Sequence, residues 1–217
     1  MPEKRVVLKN CEIVNPRSID SYLENEGFRA LIKARKEMTP EKTIELVKGS
    51  GLRGRGGAGF PCGVKWESAR KTEEDEKFLI CNADEGEMGT FKDRYLMEHD
   101  PFGLIEGIAI ASYAIGASYA YVYLRAEYHY LIDLLVNAIG QARERGFLND
   151  LVIEIREGAG SYICGEESAL MDSVEGKRGE ARYKPPFPAN IGLWRKPTII
   201  NNVETLMNIP QIVISTW

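Results

Sequence analysis

The chain has 217 residues, 44% of them hydrophobic and 28% charged, which is enough to bury one sizeable apolar core. Its 28 Lys and Arg residues against 32 Asp and Glu residues leave a net charge of −4, which argues against nucleic acid and acidic membranes as partners. The longest apolar stretch, residues 104–117, is too short to span a bilayer, and the polar N-terminus does not resemble a signal peptide. We therefore expect a cytoplasmic protein with no direct membrane insertion.

The cysteines are scattered at Cys11, Cys62, Cys81 and Cys164. No pair has the C-x₂-C spacing that is typical of zinc and iron–sulfur sites, and the chain has only 2 His residues. In a cytoplasmic protein such cysteines are usually reduced and packed in the interior. We expect packed thiols and no metal site.

The first 50 residues are predicted to form an arm followed by helices. A short apolar run within residues 5–14 predicts a strand or arm, and apolar spacing predicts helices over residues 19–37 and 40–48. Thr39 and Pro40 are favourable at the N-cap and at the first position of the second helix.

Residues 51–63 form a glycine-rich segment with six glycines in 13 positions. Glycine lets the backbone adopt left-handed conformations and approach a ligand closely, and successive free N–H groups form an anion-binding nest. Arg53, Arg55 and Lys65 add positive charge. The segment predicts a loop that binds a phosphate or a flat, phosphate-bearing cofactor, and a flexible linker is the alternative.

Two common phosphate loops do not account for this segment. Residues 54–59 match G-x-G-x-x-G, but that dinucleotide fingerprint follows a strand, whereas the preceding residues 40–48 are predicted to be helical. A Walker loop ends in Gly-Lys-Ser/Thr, which does not occur here.

Strands and helices are predicted to alternate after the loop. Short apolar runs predict strands over 78–81, 119–124 and 151–155. Helices are predicted from Val64 and over 101–116, 128–145 and 165–174, before a Pro-rich loop and a short terminal helix. Right-handed crossovers then give an α/β fold, a Rossmann-like parallel sheet flanked by helices, with an N-terminal helical segment.

We expect one compact domain in two parts, an N-terminal arm with helices (1–50) and an α/β part (51–217). Residues 82–87 follow the first predicted strand, and residues 158–162 follow the third. Ligands of parallel sheets bind at the carboxyl ends of the strands, so these two segments are predicted to converge on one site.

Four motifs occur in the same order as in a known family. They are the glycine-rich segment, Cys81–Glu87 with Gly89–Arg94, Gly158–Glu167, and Lys184–Pro188 with Asn201–Thr205. From about residue 18 to the C-terminus, the chain resembles the flavoprotein subunit of respiratory complex I and the diaphorase subunits of NAD-linked hydrogenases and formate dehydrogenases. The resemblance implies an FMN cofactor and NADH as substrate.

The resemblance also implies which residues bind FMN. They are Gly54, Arg55, Gly56, Gly57, Lys65, Asn82, Asp84, Glu85, Tyr162, Gly165, Glu166, Asn201 and Asn202. Ordinary structural roles are the alternatives: an exposed helix lysine, an Asx-turn at 82–85, carboxylates favoured at a helix N-terminus, and a turn or N-cap at the asparagine pair.

For NADH, the resemblance implies contacts from Phe60, Glu87, Glu167, Lys184 and Phe187, with the two aromatic residues stacking on adenine. Ser68 stands where a second stacking aromatic is expected near Trp66. The alternatives are weaker stacking on adenine and substitution by Trp66. Core packing for the aromatic residues and a rigid loop for residues 184–188 are the competing interpretations.

We expect an FMN-dependent NADH dehydrogenase module, in which hydride passes from NADH to FMN and no residue serves as general acid or base. Family members usually bind a [4Fe–4S] cluster in a cysteine-rich C-terminal region, and we expect the cluster on a partner or outside this chain. Iron–sulfur subunits are therefore expected partners, with a place at the periphery of a membrane complex as an option. The alternative is a non-enzymatic assembly subunit that keeps the fold.

Overall fold

The computed structural model describes residues 5–158 and 162–215, which contain a four-stranded parallel sheet with helices on both faces. The strands are β1 (Phe78–Ala83), β2 (Tyr119–Leu124), β3 (Val152–Glu157) and β4 (Thr198–Asn202), in the spatial order β3-β2-β1-β4. Fold class and strand direction confirm the prediction of a Rossmann-like α/β fold with an N-terminal helical segment.

Helices precede, connect and follow the strands. Before the sheet are α1 (Ile19–Glu24), α2 (Arg29–Glu37), α3 (Pro40–Gly49) and α4 (Cys62–Lys71). Between the strands are α5 (Lys92–His99), α6 (Pro101–Ile115), α7 (Ile132–Glu144) and α8 (Glu167–Val174). The chain continues into α9 (Val203–Met207) and α10 (Ile209–Ile214), and 3₁₀ turns cover Ala126–Leu131, Tyr162–Gly165 and Leu193–Arg195.

The register of the sheet brings distant motifs together. Cys81 of β1 pairs with Asn201 of β4, and Asn82 pairs with Asn202. On its other side β1 pairs with β2, which in turn pairs with β3. Because the strands are parallel, their carboxyl ends lie along one edge, as the sequence predicted for residues 82–87. Of the other predicted segment, residues 159–161 lie outside the described residues.

The strand β4 and the helix α5 are absent from the sequence prediction. Residues 198–202 were expected to belong to the Pro-rich loop or the terminal helix, and their pairing with β1 overturns that expectation. Only five residues long, β4 carries two polar residues at its end, so its pattern is weak without its neighbour. The N-cap residue of α5 is Phe91, whose side chain makes no capping hydrogen bond. The sequence therefore lacks the N-cap pattern that usually marks where a helix begins.

The N-terminal predictions need two corrections. Residues 5–14 form successive turns, with no strand, because Asn10 bonds internally: its carbonyl accepts from Ile13 and Val14, and its amide donates to Asp100 Oδ2 at 2.8 Å. The helix predicted over 19–37 is two helices, α1 and α2. The chain turns between them at Phe28, which has a positive φ of 58°.

Two other boundaries also differ. The helix predicted over 128–145 begins as the 3₁₀ turn Ala126–Leu131 and becomes regular only at Ile132. The predicted short helix after the glycine loop begins at Cys62. End shifts of this size are ordinary for helices, whose first turns are often 3₁₀.

Helix α6 is the centre of the core and is buried on nearly every side. It packs against α2, α3, α4, α7, α9 and the sheet. Gly107 allows a close approach of α9, since a Cβ there would lie 2.3 Å from the carbonyl oxygen of Leu206. The N-terminal Ile44 and Val47 belong to the same apolar cluster as Leu79 of β1. The division at residue 50 stays a prediction.

A smaller apolar cluster covers the opposite face of the sheet. It joins side chains of β1, β2 and β4 to α8, with Ile80, Tyr123 and Leu170 fully buried at its centre. The strands therefore bury both faces, which explains their nearly continuous apolar sequence. Within the two described ranges, no helix is long and apolar enough to cross a membrane.

Glu106 of α6 holds the turn between α1 and α2. Its carboxylate is buried and accepts hydrogen bonds from Tyr22 Oη at 2.6 Å and from the backbone N–H groups of Phe28 and Leu31, each at 3.0 Å. Burial raises the pKa of Glu106, and these three donors oppose that shift. The carboxylate supplies partners for N–H groups at the start of α2, where helices leave them unsatisfied.

We expect Tyr22→Phe to lower the free energy of unfolding by about 1.5–3 kcal/mol, because a buried carboxylate loses one of its donors. Tyr95→Phe is the matched control, since it removes a 3.3 Å bond to Glu12 at the surface and should change stability by less than about 0.5 kcal/mol. Urea denaturation measures both. Equal losses in the two variants would contradict a special role for Glu106.

Candidate functional site

A cavity of about 650 Å³ opens at the carboxyl ends of β1 and β4. Its walls are the glycine-rich segment, the first turns of α4, the start of α8 and the loop of residues 184–190. Thr198 at the start of β4 donates its N–H to the carbonyl of Pro188 at 2.8 Å, which anchors this last loop beside the sheet. The cavity therefore lies where parallel sheets bind ligands.

Many of the predicted site residues line this cavity. From the predicted FMN set they are Gly54, Gly56, Lys65, Asn82, Gly165, Glu166 and Asn201, and from the predicted NADH set they are Phe60, Glu167, Lys184 and Phe187. The structure brings together residues separated by up to 147 positions, from Gly54 to Asn201, because β4 returns beside β1. Their roles in binding stay predictions.

The glycine-rich segment forms a narrow hairpin-like loop over this cavity. Gly54 N–H donates to the carbonyl of Phe60 and Cys62 N–H donates to the carbonyl of Leu52, each at 2.9 Å. Gly57 and Gly59 have positive φ values of 122° and 64°, and a Cβ at either would meet no atom within 4 Å. The loop thus presents exposed backbone with no side chain in the way.

Two lysines and two glutamates of the cavity lining form an ion-pair network. Lys184 Nζ donates to Glu166 Oε1 at 3.0 Å and to Glu167 Oε1 at 2.5 Å. Lys65 Nζ donates to Glu167 Oε2 at 3.3 Å and to the carbonyl of Ile200 at 3.0 Å. Burial alone would raise the pKa of Glu167, but the two lysines outweigh it and lower that pKa. Glu167 is therefore a charged acceptor shared by two cations.

Glu166 is the N-cap of α8. Its Oε2 accepts hydrogen bonds from the backbone N–H groups of Ser168 at 2.8 Å and Ala169 at 3.0 Å, and from the Ser168 hydroxyl. Burial raises its pKa, but the Ser168, Ala169 and Lys184 hydrogen bonds outweigh burial and lower the pKa to about 2. The helix-terminus role considered from the sequence therefore accounts for Oε2 alone. The other oxygen, Oε1, accepts from Lys184 at the cavity wall.

Polar side chains at the strand ends complete the floor. Asn82 Nδ2 donates to the carbonyl of Gly165 at 2.9 Å, and its Oδ1 accepts from Asp84 N–H at 3.0 Å, which is the Asx-turn considered from the sequence. Asn201 is buried and bonds to Trp66 and Cys62. These contacts tie β1, β4 and α4 into one wall.

Trp66 is not available for stacking. Its side chain is 0% exposed and its indole Nε1 donates to Asn201 Oδ1 at 2.8 Å, so the proposal that it substitutes for a missing aromatic is wrong. Ser68 lines the cavity and donates to Asn190 Oδ1 at 3.3 Å. The aromatic side chains that do line the cavity are Phe60 and Phe187, each more than half exposed.

A second polar cluster lies beneath the glycine loop, outside the main cavity. Asn202 caps α9 by accepting from Glu204 N–H at 3.1 Å, and its Oδ1 also accepts from Lys92 Nζ at 3.1 Å. Lys92 Nζ lies 2.7 Å from Asp93 Oδ1, and Arg55 Nε lies 3.9 Å from Glu204 Oε1. The sequence motifs contained Lys92 and Asp93, but no pattern placed them beside Asn202.

The structure does not bring Glu85 to the cavity. Its carboxylate is buried and accepts from the N–H groups of Asp93 at 2.9 Å and Arg94 at 3.2 Å, and from Tyr128 Oη at 3.1 Å. It therefore supports the start of α5, which has no N-cap side chain of its own.

Besides Glu85 and the residues of the second polar cluster, four other predicted residues lie outside the cavity lining: Gly57, Asp84, Glu87 and Tyr162. Asp84 is half-buried beside Gly165, and burial raises its pKa to about 6. Tyr162 is 73% exposed and donates to Glu87 Oε2 at 3.2 Å. Gly57 belongs to the exposed tip of the loop.

The thiols are buried and unpaired, as the sequence predicted. Burial raises the pKa of Cys62 to about 12, so this cavity-lining thiol is neutral at physiological pH. In the part of the chain that the structure describes, no three His, Cys, Asp or Glu side chains are grouped to hold a metal ion.

Comparison with known proteins identifies the family. A sequence profile of the Nuo51 FMN-binding domain matches residues 47–211, which is most of the chain and includes every wall of the cavity. The chain belongs to this FMN-binding domain family. The recognition from the four sequence motifs is thereby confirmed.

Individual relatives agree with the family. The chain is 51% identical to an NADH-quinone oxidoreductase subunit of Rhizobium meliloti, over 98% of its own length and 53% of the relative's. It is 51% identical to the NADP-reducing hydrogenase subunit HndC of Solidesulfovibrio fructosivorans, over 97% and 44% respectively. The structure is similar to a chain of the NAD⁺-reducing [NiFe]-hydrogenase in the H₂-reduced state, with a TM-score of 0.82, 45% identity, and coverage of 89% and 34%. The chain thus spans about half the length of the curated relatives.

The cavity of this FMN-binding domain is large enough for a small organic cofactor. Its volume is in the range of about 300–1,000 Å³ that is common for ligand sites. The open backbone at Gly57 and Gly59 leaves room for direct approach, and the cations Arg55 and Lys92 lie together at the loop end. Amides and a lysine line the cavity and can bond to polar ring atoms.

We expect Glu166→Ala to destabilise the protein by about 1 kcal/mol at pH 7, because α8 loses its N-cap. The folded pKa of Glu166 is depressed to about 2, so its stabilising effect is complete above the unfolded value of 4.5. That effect diminishes as the pH falls from 4.5 towards 2.

Urea denaturation at pH 7, 5, 4 and 3 checks this expectation. The wild-type and variant curves should converge as the pH is lowered. Glu180→Ala, in an exposed loop, is the control and should be neutral at each pH. A Glu166→Ala deficit that stays constant from pH 7 to pH 3 would contradict a capping carboxylate of low pKa.

Proposed function

We propose that this chain binds one FMN non-covalently and is the NADH-oxidising module of a larger electron-transfer assembly. The observation that carries the proposal is the cavity at the strand carboxyl ends, roofed by the open glycine loop, within a chain of the Nuo51 FMN-binding domain family. The names of its relatives support the reaction type, since they include NADH-quinone oxidoreductase subunits and a nicotinamide-reducing hydrogenase subunit.

The FMN phosphate is proposed to lie at the glycine loop. Gly56 and Gly57 offer backbone N–H groups, and Arg55 supplies positive charge. Gly54 shapes the loop, because its own N–H donates to the Phe60 carbonyl. Asn202 and Lys92 lie beside the loop, where Gly56 approaches Asn202 closely enough that an added Cβ would be 3.3 Å from the Asn202 Cβ. One such cluster of donors favours a mononucleotide, FMN, over FAD.

The ring and ribityl chain are proposed to lie deeper in the cavity. Lys65, Asn82 and Asn201 line its floor, and Gly165 and Glu166 form the adjoining wall. Asp84 and Tyr162 flank that wall from outside the lining. Glu85 contributes through α5, whose start it supports with two hydrogen bonds from Asp93 and Arg94.

NADH is proposed to enter along the exposed side of the cavity. Phe60 and Phe187 offer aromatic faces for the adenine ring, and Glu167 and Lys184 bound the neighbouring polar region. Glu87 lies farther out, paired with Tyr162. Of the predicted NADH set it is the residue that the structure holds outside the cavity lining.

In this proposal the protein positions the cofactor and the nicotinamide and excludes water from between them. When bound, FMN supplies the redox chemistry, accepting a hydride from NADH and releasing electrons one at a time. The residues that line the cavity would hold the cofactor and the nicotinamide and need not move a proton. Glu166 and Glu167 are both held ionised by hydrogen bonds and lysines, so neither is a proton donor at neutral pH.

Electrons are proposed to leave through an iron–sulfur centre outside this chain, on a partner subunit or another part of the same protein. The cysteines of this chain are buried and lack cluster spacing. Relatives named as subunits of NADH-quinone oxidoreductases and of a hydrogenase support a place in an assembly with partner subunits.

The first experiment reconstitutes the purified chain with FMN and titrates it with NADH. We expect stoichiometric FMN, identified after denaturation, and bleaching of the visible flavin absorption by NADH. Turnover should require an artificial acceptor or oxygen, and iron analysis should find no stoichiometric iron or acid-labile sulfide. The absence of bound flavin, or binding of FAD instead, would overturn the proposal. Bound FMN that NADH does not reduce would favour the non-enzymatic assembly subunit.

The second experiment tests nicotinamide preference at Glu167. A carboxylate near the adenosine ribose accepts hydroxyl hydrogen bonds and repels a 2′-phosphate. In this chain Lys65 and Lys184 offset that charge. Glu167→Gln would leave Lys65 without a carboxylate partner and Lys184 with Glu166 alone, so both could attract the phosphate more strongly. We expect the NADPH-to-NADH ratio of kcat/KM to rise about tenfold or more, equivalent to about 1.4 kcal/mol.

Glu180→Gln is the control, because Glu180 is exposed and outside the cavity lining. It should leave the cofactor ratio unchanged. The test is informative because one relative of 51% identity is named an NADP-reducing hydrogenase subunit. If the ratio does not move in Glu167→Gln, then Glu167 serves only as the anion between two lysines.

A further inference from the structure

The side-chain amide of Asn201 has two different hydrogen-bond partners on α4. Its Oδ1 accepts from the indole Nε1 of Trp66 at 2.8 Å, and its Nδ2 donates to Cys62 Sγ at 3.8 Å. Trp66 is 0% exposed and Asn201 is 6% exposed, so water does not compete strongly for these groups. Asn201 and Cys62 both line the cavity, whereas Trp66 lies behind them.

Trp66 determines which end of the amide faces it. An asparagine amide has one accepting oxygen and one donating nitrogen of nearly the same shape, so packing alone does not select its orientation. The indole N–H can only donate. A flipped amide would set two buried donors against each other and leave both unsatisfied, which is costly in a dry interior. The oxygen must therefore face Trp66.

The same contact leaves a donor for the cavity. Nδ2 carries two hydrogens, and the Cys62 sulfur accepts one of them. In the described part of the chain, the second hydrogen has no protein acceptor at Asn201. The raised pKa of Cys62, about 12, keeps its sulfur a neutral thiol and so a weak acceptor that holds the amide loosely.

We propose that Trp66 is a positioning residue that orients the amide of Asn201 so that Nδ2 donates to a hydrogen-bond acceptor of the bound cofactor. The identity of that cofactor as FMN rests on the proposed function. The acceptor is a carbonyl oxygen, an unprotonated ring nitrogen or a hydroxyl, all of which FMN carries. Trp66 thus acts through Asn201, from inside the core, without contacting the ligand.

A double-mutant cycle on FMN binding tests the proposal. Trp66→Phe keeps an aromatic side chain and removes the N–H, and Asn201→Ala removes the amide. We expect each to weaken FMN binding about five- to tenfold, with the double variant no weaker than Asn201→Ala alone. Multiplying losses would mean that Trp66 acts only by filling space, which would overturn the proposal. Tyr113→Phe, which removes a 2.7 Å bond to Met38 on the far side of the core, should leave FMN affinity unchanged.

Asn201→Asp provides a second test that leaves the core tryptophan intact. It keeps an oxygen to accept from Trp66 and removes the Nδ2 donor. FMN binding should weaken while the indole N–H stays hydrogen bonded. Unchanged FMN affinity in this variant would overturn the donor role of Asn201, whether or not Trp66→Phe folds well.

The indole resonance of Trp66 in ligand-free protein gives a readout that does not depend on flavin. The chain has 3 Trp residues, so the Trp66 Nε1–H signal can be assigned by its loss in Trp66→Phe. Asn201→Ala should shift that signal and speed its exchange with solvent, whereas Asn201→Asp should keep it protected. An unshifted signal in Asn201→Ala would overturn the orienting contact. If wild-type protein binds no FMN, the proposed function fails, and this signal then decides the orienting contact by itself.

Discussion

The parallel hydrogen bonding between β1 and β4 holds the two halves of the site together. It places Asn201 beside Cys81 and Asn202 beside Asn82, although more than 100 residues separate the strands in sequence. This pairing also brings the glycine loop into contact with β4, because Asn202, the N-cap of α9, lies beside Gly56. A site shared between distant segments forms only when the sheet is complete, which couples ligand binding to folding of the whole chain.

The cavity itself is close to electrically balanced. Two lysines and two glutamates neutralise one another on one wall, while the cations near the glycine loop share Asp93 and Glu204. Charged side chains in a partly desolvated site are tolerated when they are paired and hydrogen bonded. Preformed pairs also hold the long lysine side chains in place before a ligand arrives, which lowers the entropy cost of binding.

Behind the site, helix α6 provides a rigid support. Its buried Glu106 holds the backbone at the start of α2. Its close approach to α9 supports the helix that follows Asn201 and Asn202. The amide of Asn201 is likewise oriented from the interior, by Trp66. Several polar groups of this fold therefore serve to position others, and buried hydrogen bonds of this kind are strong because water does not compete with them.

Local patterns in the sequence were sufficient for the α/β class, the first three strands and the glycine loop, because short apolar runs and clustered glycines report backbone preferences directly. The motifs were also sufficient for the family. Only the tertiary structure decided that residues 198–202 form a strand, that Glu85 supports α5 outside the cavity, and that Trp66 is buried behind Asn201. Each of these depends on a partner that is distant in the sequence. Contacts across a sheet or between helices do not change the pattern of apolar and polar residues within a segment, so that pattern cannot predict them.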